Sequence, residues 1–406
     1  MVGRTPALSF SKAALELTME KVFEYFDRAA ALAEKGMEVI SFGIGQPDFP
    51  TPEHICEAAK NAIDAGFTTY VSPPGIRELR EAIAEHVSEF TGAGDVKPEE
   101  VIVLPGCKAA IFLAIASYVE PGDEVIVPDP GFPTYECVVR YAGGRPVFLP
   151  LREELDFRMT PEAVQDAITE KTKMVIVNSP HNPTGGMCTK TDIQGILEVA
   201  KEHGILVVSD EIYDHYVYDG EFTSVLVDPE WRDFVLYLNG FSKTYSMTGW
   251  RLGYIVANAK AIERLTIFAV NNFSCTASFV QKAGVAAIKG PQDFFKRVLD
   301  EYKRRREAAY RAFKSIPGVK VRKSPGAFYI FPNIKEILKQ TGLTTEQFAI
   351  KMLELKGVVT PPGVPSFPLK AGEGYLRVSY ALPVEKIERG AERFREGVEE
   401  LLEKAF

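Results

Sequence analysis

Lys173-Met-Val-Ile-Val177, the polar stretch Asn178-Ser-Pro-His-Asn-Pro-Thr-Gly185, a helical pattern over 189–203, and Ile205-Leu-Val-Val208 running into Asp210 together decide the fold. Both apolar runs are near-continuous rather than alternating, as expected of strands buried on both faces of a mainly parallel sheet. Runs of the same kind recur at Val101-Ile-Val-Leu104, Glu124-Val-Ile-Val127, Phe234-Val-Leu-Tyr-Leu238 and Gly253-Tyr-Ile-Val256. Helical patterns over 109–118, 133–142 and 161–168 fall between several of them. This alternation predicts an α/β domain with helices on both faces of the sheet. Ligands of such sheets gather at the carboxyl ends of the strands, so the loops there are where chemistry is sought.

Outside this block the pattern changes. A charged amphipathic helix over about 291–315 precedes strands near 327–331 and 375–380, and a Glu-rich helix closes the chain. That reads as a smaller α+β domain. A helix over about 18–35 and a strand over 39–42 make no domain by themselves and are assigned to it. The expected division is an N-terminal arm with part of the small domain (1–52), a large domain (53–295) and a small C-terminal domain (296–406). At 406 residues, about two or three domains are the ordinary expectation.

A hydrophobic fraction of 46% with 25% charged residues excludes a disordered or low-complexity chain. The net charge of −8 gives no footprint for nucleic acid. The run Lys303-Arg304-Arg305-Arg306 is read as a solvated helix face. No apolar stretch is long enough for a bilayer, and the opening residues show no secretory apolar region. The five cysteines, Cys56, Cys107, Cys137, Cys188 and Cys275, are odd in number and widely spread. They point to a reduced, cytoplasmic compartment and against a zinc site; no metal is expected.

Several motifs fail. Gly43-x-Gly45 lacks the third glycine and immediate helix of a dinucleotide fingerprint. Ser9-x-x-Lys12 matches an acyl-serine pattern but has no companion Lys-Thr-Gly. His181 sits in a loop of interest, but the five histidines have no spacing that points to a catalytic role.

The informative stretch is Asn239-Gly-Phe-Ser-Lys243-Thr-Tyr-Ser-Met-Thr-Gly-Trp-Arg251-Leu-Gly, in which a lysine follows a strand and precedes Gly-Trp-Arg. With Gly45-Gln-Pro-Asp-Phe, Asn178-Ser-Pro-His-Asn-Pro-Thr-Gly, Asp210-Glu-Ile-Tyr213 and Tyr375-Leu-Arg377, it resembles the class I and II aminotransferases, the fold-type-I pyridoxal phosphate enzymes. The resemblance covers the chain from about 20 to 400 and is nearest to prokaryotic aspartate and aromatic aminotransferases. It implies a pyridoxal 5′-phosphate cofactor, held as an electron sink on a lysine with a carboxylate at its ring nitrogen.

By that resemblance Lys243 forms the Schiff base and later shuttles the substrate proton, which requires a lowered pKa. Asp210 pairs with the ring nitrogen, and Tyr213 and Asn182 hydrogen-bond the ring's phenolic oxygen. The phosphate falls to the backbone of Cys107 and Lys108 at a helix start, to Arg251 and to Ser242. Some relatives carry Ser or Thr three residues before the lysine; this chain has Gly240. Phe132 resembles the aromatic that stacks on the ring. Tyr70 resembles the tyrosine that reaches the phosphate of a neighbouring subunit, implying a homodimer with shared active sites.

Arg377 resembles the arginine whose planar fork takes the substrate α-carboxylate, with the Gly45 backbone N–H as a second donor. Lys108 either meets the distal carboxylate of a dicarboxylic substrate or stays solvated. The resemblance therefore implies ping-pong transfer from an L-amino acid, aspartate first, to a 2-oxo acid such as 2-oxoglutarate. The alternatives are an aromatic, alanine-type or broad-specificity aminotransferase, or a β-lyase on the same scaffold. A non-catalytic DNA-binding regulator would need an appended domain for which about 40 residues before Gly45 leave no room.

Overall fold

The computed structural model describes residues 10–20, 22–363 and 370–404. Ser9 of the acyl-serine match and the residues 1–9 read for a secretory signal lie outside them. In chain order the strands are β1 (Ile40–Ser41), β2 (Val101–Leu104), β3 (Glu124–Asp129), β4 (Arg145–Pro150), β5 (Thr172–Asn178), β6 (Leu206–Asp210), β7 (Val235–Gly240), β8 (Gly253–Val256), β9 (Tyr329–Ile330), β10 (Val358–Val359) and β11 (Val378–Ser379).

Seven of them form one sheet in the order β2-β8-β7-β6-β5-β3-β4. Every pairing is parallel except those of β8, which runs antiparallel to both β7 and β2. Alternate residues of one strand face opposite cores: Ile102 and Leu104 enter one apolar cluster, Val101 and Val103 the other. Burial of each such side chain contributes about 1.5–3 kcal/mol, which is why the strands read as unbroken apolar runs. β4 escapes that criterion. It carries Pro146 and Pro150, buries only Pro146 and Leu149 fully, and pairs with β3 alone at the sheet edge, where a missing N–H is tolerated.

The helices Cys107–Ala116, Pro133–Tyr141, Pro161–Ala167 and Lys190–His203 end within two residues of the predicted patterns. The last is bounded by side-chain chemistry. Thr189 Oγ1 accepts from Asp192 N at 3.1 Å, and Asp192 Oδ2 accepts from Thr189 N at 2.7 Å. Gly204, at φ 64°, ends it in the left-handed conformation that suits glycine.

Segments from the N-terminal and C-terminal regions form two further small sheets. β1 pairs in parallel with β10, and β9 antiparallel with β11. Phe42, just after β1, packs edge-on against Phe313 of the Asp293–Lys314 helix, ring centroids 5.6 Å apart. The closing helix Val384–Glu403 buries Ile387, Ala391, Phe394 and Val398 on one stripe.

One sequence expectation is corrected. The run 303–306 is not a solvated face: the Arg305 side chain is 6% exposed and Arg306 is equally buried. Four consecutive helical residues point around the whole circumference, so a run cannot occupy one face. Arg305 Nη1 binds Asp48 Oδ1 at 2.6 Å, and Arg306 Nη1 binds Asp219 Oδ2 at 2.7 Å. The first of these contacts fixes the loop that carries Gly45.

Candidate active site

β2, β3, β5, β6 and β7 point the same way, so their carboxyl ends share one edge of the sheet. Each delivers a polar or aromatic residue there: Cys107 and Lys108 after β2, Phe132 after β3, Asn182 after β5, Asp210 at the end of β6, and Ser242 and Lys243 after β7. Gly45, Tyr329 and Arg377 arrive from the chain's two end regions. They enclose a cavity of about 320 Å³. Every residue singled out from the sequence for the site lines it except Tyr70, which is 85% exposed.

At one part of the cavity the Cys107–Ala116 helix presents its first turn, whose backbone N–H groups have no intrahelical partner by construction. Gly106 caps it at φ 92°, and a β-carbon there would collide with the Arg251 guanidinium. Gly253 is equally constrained, since a β-carbon would press on Cys107 N at 2.6 Å. Arg251 itself is held at φ 54° directly after the short Thr248–Trp250 turn, its Nη1 donating to Thr248 O at 2.8 Å. A non-glycine residue in that conformation is costly and marks a place where geometry is imposed by its surroundings.

Asp210 is fully buried. Tyr135 Oη donates to its Oδ2 at 2.8 Å, Ile212 N to its Oδ1 at 3.3 Å, and Cys107 Sγ lies 3.6 Å from Oδ1. Burial pushes the carboxyl up from its ordinary value, and the Tyr135, Ile212 and Cys107 donors oppose that rise. Tyr135 is itself pushed well above the phenol range, by burial and then by the Asp210 charge, so it remains a donor.

Lys243 Nζ donates to Gly45 O at 2.6 Å. Its pKa falls from 10.5 to about 8 because it is buried, with Arg377 and then Arg251 adding like-charge repulsion. The amine is thus poised to lose its proton near neutrality. Arg377 is clamped by Asn182 Oδ1, which accepts from Nη1 at 3.0 Å, and by Gly43 O, which accepts from Nη2 at 2.6 Å. Its guanidinium also covers the Tyr329 ring, 4.9 Å from the centroid. Tyr329 and Tyr213 share a hydrogen bond at 2.8 Å.

Tyr135 and Tyr329 escape the sequence reading. The available signals were faint: Tyr135 follows Phe132 on the first turn of a helix, and Tyr329 sits in an apolar run. His181, in contrast, is a packing residue. It is buried, bonds Thr184 Oγ1 through Nδ1 at 2.8 Å, and is pushed by burial down to about 3, so it stays neutral.

Residues 37–394 match the family model described as aminotransferase class I and II. The chain belongs to that family. It is 45% identical to an aspartate aminotransferase of Sulfolobus acidocaldarius over 97% of this chain and 98% of that protein. It is 38% identical to aromatic-amino-acid aminotransferase 2 of Thermococcus litoralis, over 90% of this chain and 93% of that one. Its structure matches the Thermus thermophilus aspartate aminotransferase solved with maleate at a TM-score of 0.90 and 34% identity, covering 96% of this chain and all of that chain. The protein is accordingly a pyridoxal phosphate-dependent aminotransferase of fold type I.

The residues present suit that cofactor. Gly106 keeps the space between a helix N-terminus and Arg251 open for a phosphate. Asp210 offers a buried carboxylate to a ring nitrogen, and Lys243 offers a primary amine of lowered pKa to an aldehyde. Among the described residues no cluster of metal-ligating side chains occurs, and no helix is long and apolar enough to cross a membrane.

Proposed function

We propose that this aminotransferase exchanges amino groups between a dicarboxylic L-amino acid, aspartate first, and 2-oxoglutarate by a ping-pong mechanism. The observation that carries this reading is a pair of cations lining one cavity, Arg377 at its buried side and the half-exposed Lys108. Arg377 takes the α-carboxylate in its planar fork, and Lys108 takes the distal carboxylate. The Sulfolobus relative's name supports the choice of aspartate.

The bound cofactor supplies an electron sink for the carbanion left when Cα loses its proton. The protein does the rest. Lys243 Nζ would hold the aldehyde carbon of the cofactor, and its amine of lowered pKa would move the proton taken from substrate Cα. Asp210 would keep the ring nitrogen protonated, Tyr213 and Asn182 would hold the phenolic oxygen, and Phe132 would lie against the ring; all four line the cavity. Arg251, Ser242 and the amides of Cys107 and Lys108 bind the phosphate, and Gly45 N–H assists Arg377.

A second reading, an aromatic donor, is favoured by Phe23, Phe26 and Ile44, which line the same cavity. Addition of L-aspartate, L-glutamate, L-alanine and L-phenylalanine separately to the loaded protein distinguishes them. Aspartate should convert the visible cofactor band and 2-oxoglutarate restore it. Conversion by phenylalanine alone favours the second reading, and release of pyruvate with ammonia from cystathionine, whose β-sulfur can leave as a thiol, with no 2-oxo acid present, favours a β-lyase.

The same reading keeps the division at 1–52, 53–295 and 296–406, supported by β1 pairing with β10. It also makes the protein a homodimer in which Tyr70 serves the partner's phosphate. The exposure of Tyr70, and of Ile267 and Val270 on the Ala259–Phe273 helix, supports this. Light scattering that gives a monomer mass would oppose it. Unpaired cysteines support a cytoplasmic location.

A further inference from the structure

Glu20 lies just before the Val22–Glu34 helix and lines the cavity, with its carboxylate ion-paired to Lys108 Nζ. The Glu20 side chain is only 18% exposed, whereas Lys108 is 50% exposed. Among the described residues, Glu20 and Asp210 are the carboxylates lining this cavity. Asp210 is bound to Tyr135 and, among the described residues, has no cation in hydrogen-bond reach, so Glu20 is the anion seated on a substrate-facing cation. Lys108 Nζ also stands 5.1 Å from the Phe132 ring centroid, in surroundings completed by Phe23.

We propose that Glu20 is a specificity-determining residue. Its carboxylate holds Lys108 until the distal carboxylate of a dicarboxylic substrate displaces it, and stays in place when the substrate side chain is uncharged. This rests on the reading of Lys108 as the partner of that distal carboxylate.

Two consequences follow from the exchange. An incoming dicarboxylate trades one ion pair for another, so it gains less than it would from an unpaired lysine. An aromatic side chain, in turn, does not have to desolvate a lone ammonium, because Lys108 keeps its partner. Glu20 therefore narrows the gap between acidic and aromatic substrates and makes one cavity serve both.

The test is calorimetric titration of the cofactor-loaded protein with succinate and with 3-phenylpropionate, a dicarboxylate and an aromatic monocarboxylate. Wild type, Glu20→Gln, Lys108→Gln and the double variant are compared, and the ratio of the two affinities cancels any general loosening of the site. Glu20→Gln should shift that ratio toward succinate by roughly two- to fivefold, the range of an exchanged partly exposed ion pair. Lys108→Gln should shift it the other way, and in its background Glu20→Gln should have no further effect. An unchanged ratio in Glu20→Gln while Lys108→Gln lowers it overturns the role of Glu20 and leaves that of Lys108 intact. An unchanged ratio in Lys108→Gln removes Lys108 from dicarboxylate binding, and Glu20's role with it.

Discussion

Tyr135 Oη donates to Asp210 Oδ2 at 2.8 Å, making a tyrosine on the neighbouring helix the principal support of the buried carboxylate that closes β6. Burial alone would drive Asp210 toward its neutral form. Removing a hydrogen bond to a charged group costs about 1.5–3 kcal/mol. Tyr135→Phe should therefore lower kcat by roughly ten- to a hundredfold, since 1.4 kcal/mol is a factor of ten. The acid limb of the pH–rate profile should move to higher pH, because the carboxylate then persists only at higher pH. KM should change little, as Arg377 is untouched. An unmoved acid limb would show that Tyr135 does not hold the charge.

Lys243 gives the cofactor-free protein a specific pH dependence of stability. The unfolded chain keeps this proton up to about 10.5, while the folded chain releases it near 8. Between those values the unfolded state binds more protons, so stability rises with pH, and below about 8 the full penalty is present. Lys243→Met should stabilise the cofactor-free protein at pH 7 by up to about 3 kcal/mol, with the gain shrinking as pH approaches 10.5. Urea unfolding at pH 7 and pH 10 measures it; a gain that does not shrink would place the pKa elsewhere.

Arg377→Lys replaces a two-pronged donor by a point charge. KM should rise for every amino acid, acidic and aromatic alike, by roughly ten- to a hundredfold, the loss of one charge-assisted hydrogen bond. Steady-state kinetics with aspartate and phenylalanine decides. A loss confined to aspartate would assign Arg377 to the distal carboxylate.

Gly106→Ala places a methyl group against the Arg251 guanidinium at a φ of 92°. At ψ 161° this is a conformation reserved almost entirely for glycine, so the backbone strain alone is about 1–3 kcal/mol. The cofactor dissociation constant should rise tenfold or more, roughly, once Arg251 is displaced. Fluorescence titration with pyridoxal phosphate reads it, and unchanged affinity would separate Gly106 from the phosphate.

Asp48 ties the loop of Gly45 to the buried Arg305 through a 2.6 Å ion pair. Asp48→Ala leaves Arg305 with Glu301, at 2.9 Å, as its remaining anionic partner. A half-buried pair of this kind should cost about 1–3 kcal/mol of stability. KM should rise as the loop loosens, with kcat less affected. A lowered Tm with unchanged KM would make the pair purely structural.

β5 and β6 are legible in the sequence because strands covered on both faces must be apolar at nearly every position. β4 is not, because an edge strand meets water along half its surface and tolerates Pro146 and Pro150. Lys243, Asp210 and Arg377 stand out only through their company, as motifs in a familiar order. Tyr135 and Tyr329 have no motif to mark them: each acquires a partner only when the sheet brings together residues more than 70 positions apart. Arg305 is misread for a related reason, since a charged run shows its composition but not which member of the run points inward. The Glu20–Lys108 pair likewise joins two segments 88 residues apart that no local pattern connects.

We assign Lys243 as the lysine that holds pyridoxal phosphate. Borohydride reduction of the loaded protein, followed by peptide mass mapping, tests it directly. The mass of the reduced cofactor should appear on the peptide carrying Lys243 and vanish in Lys243→Ala, together with transamination. Stoichiometric label on another lysine, with Lys243→Ala still turning over, would contradict it.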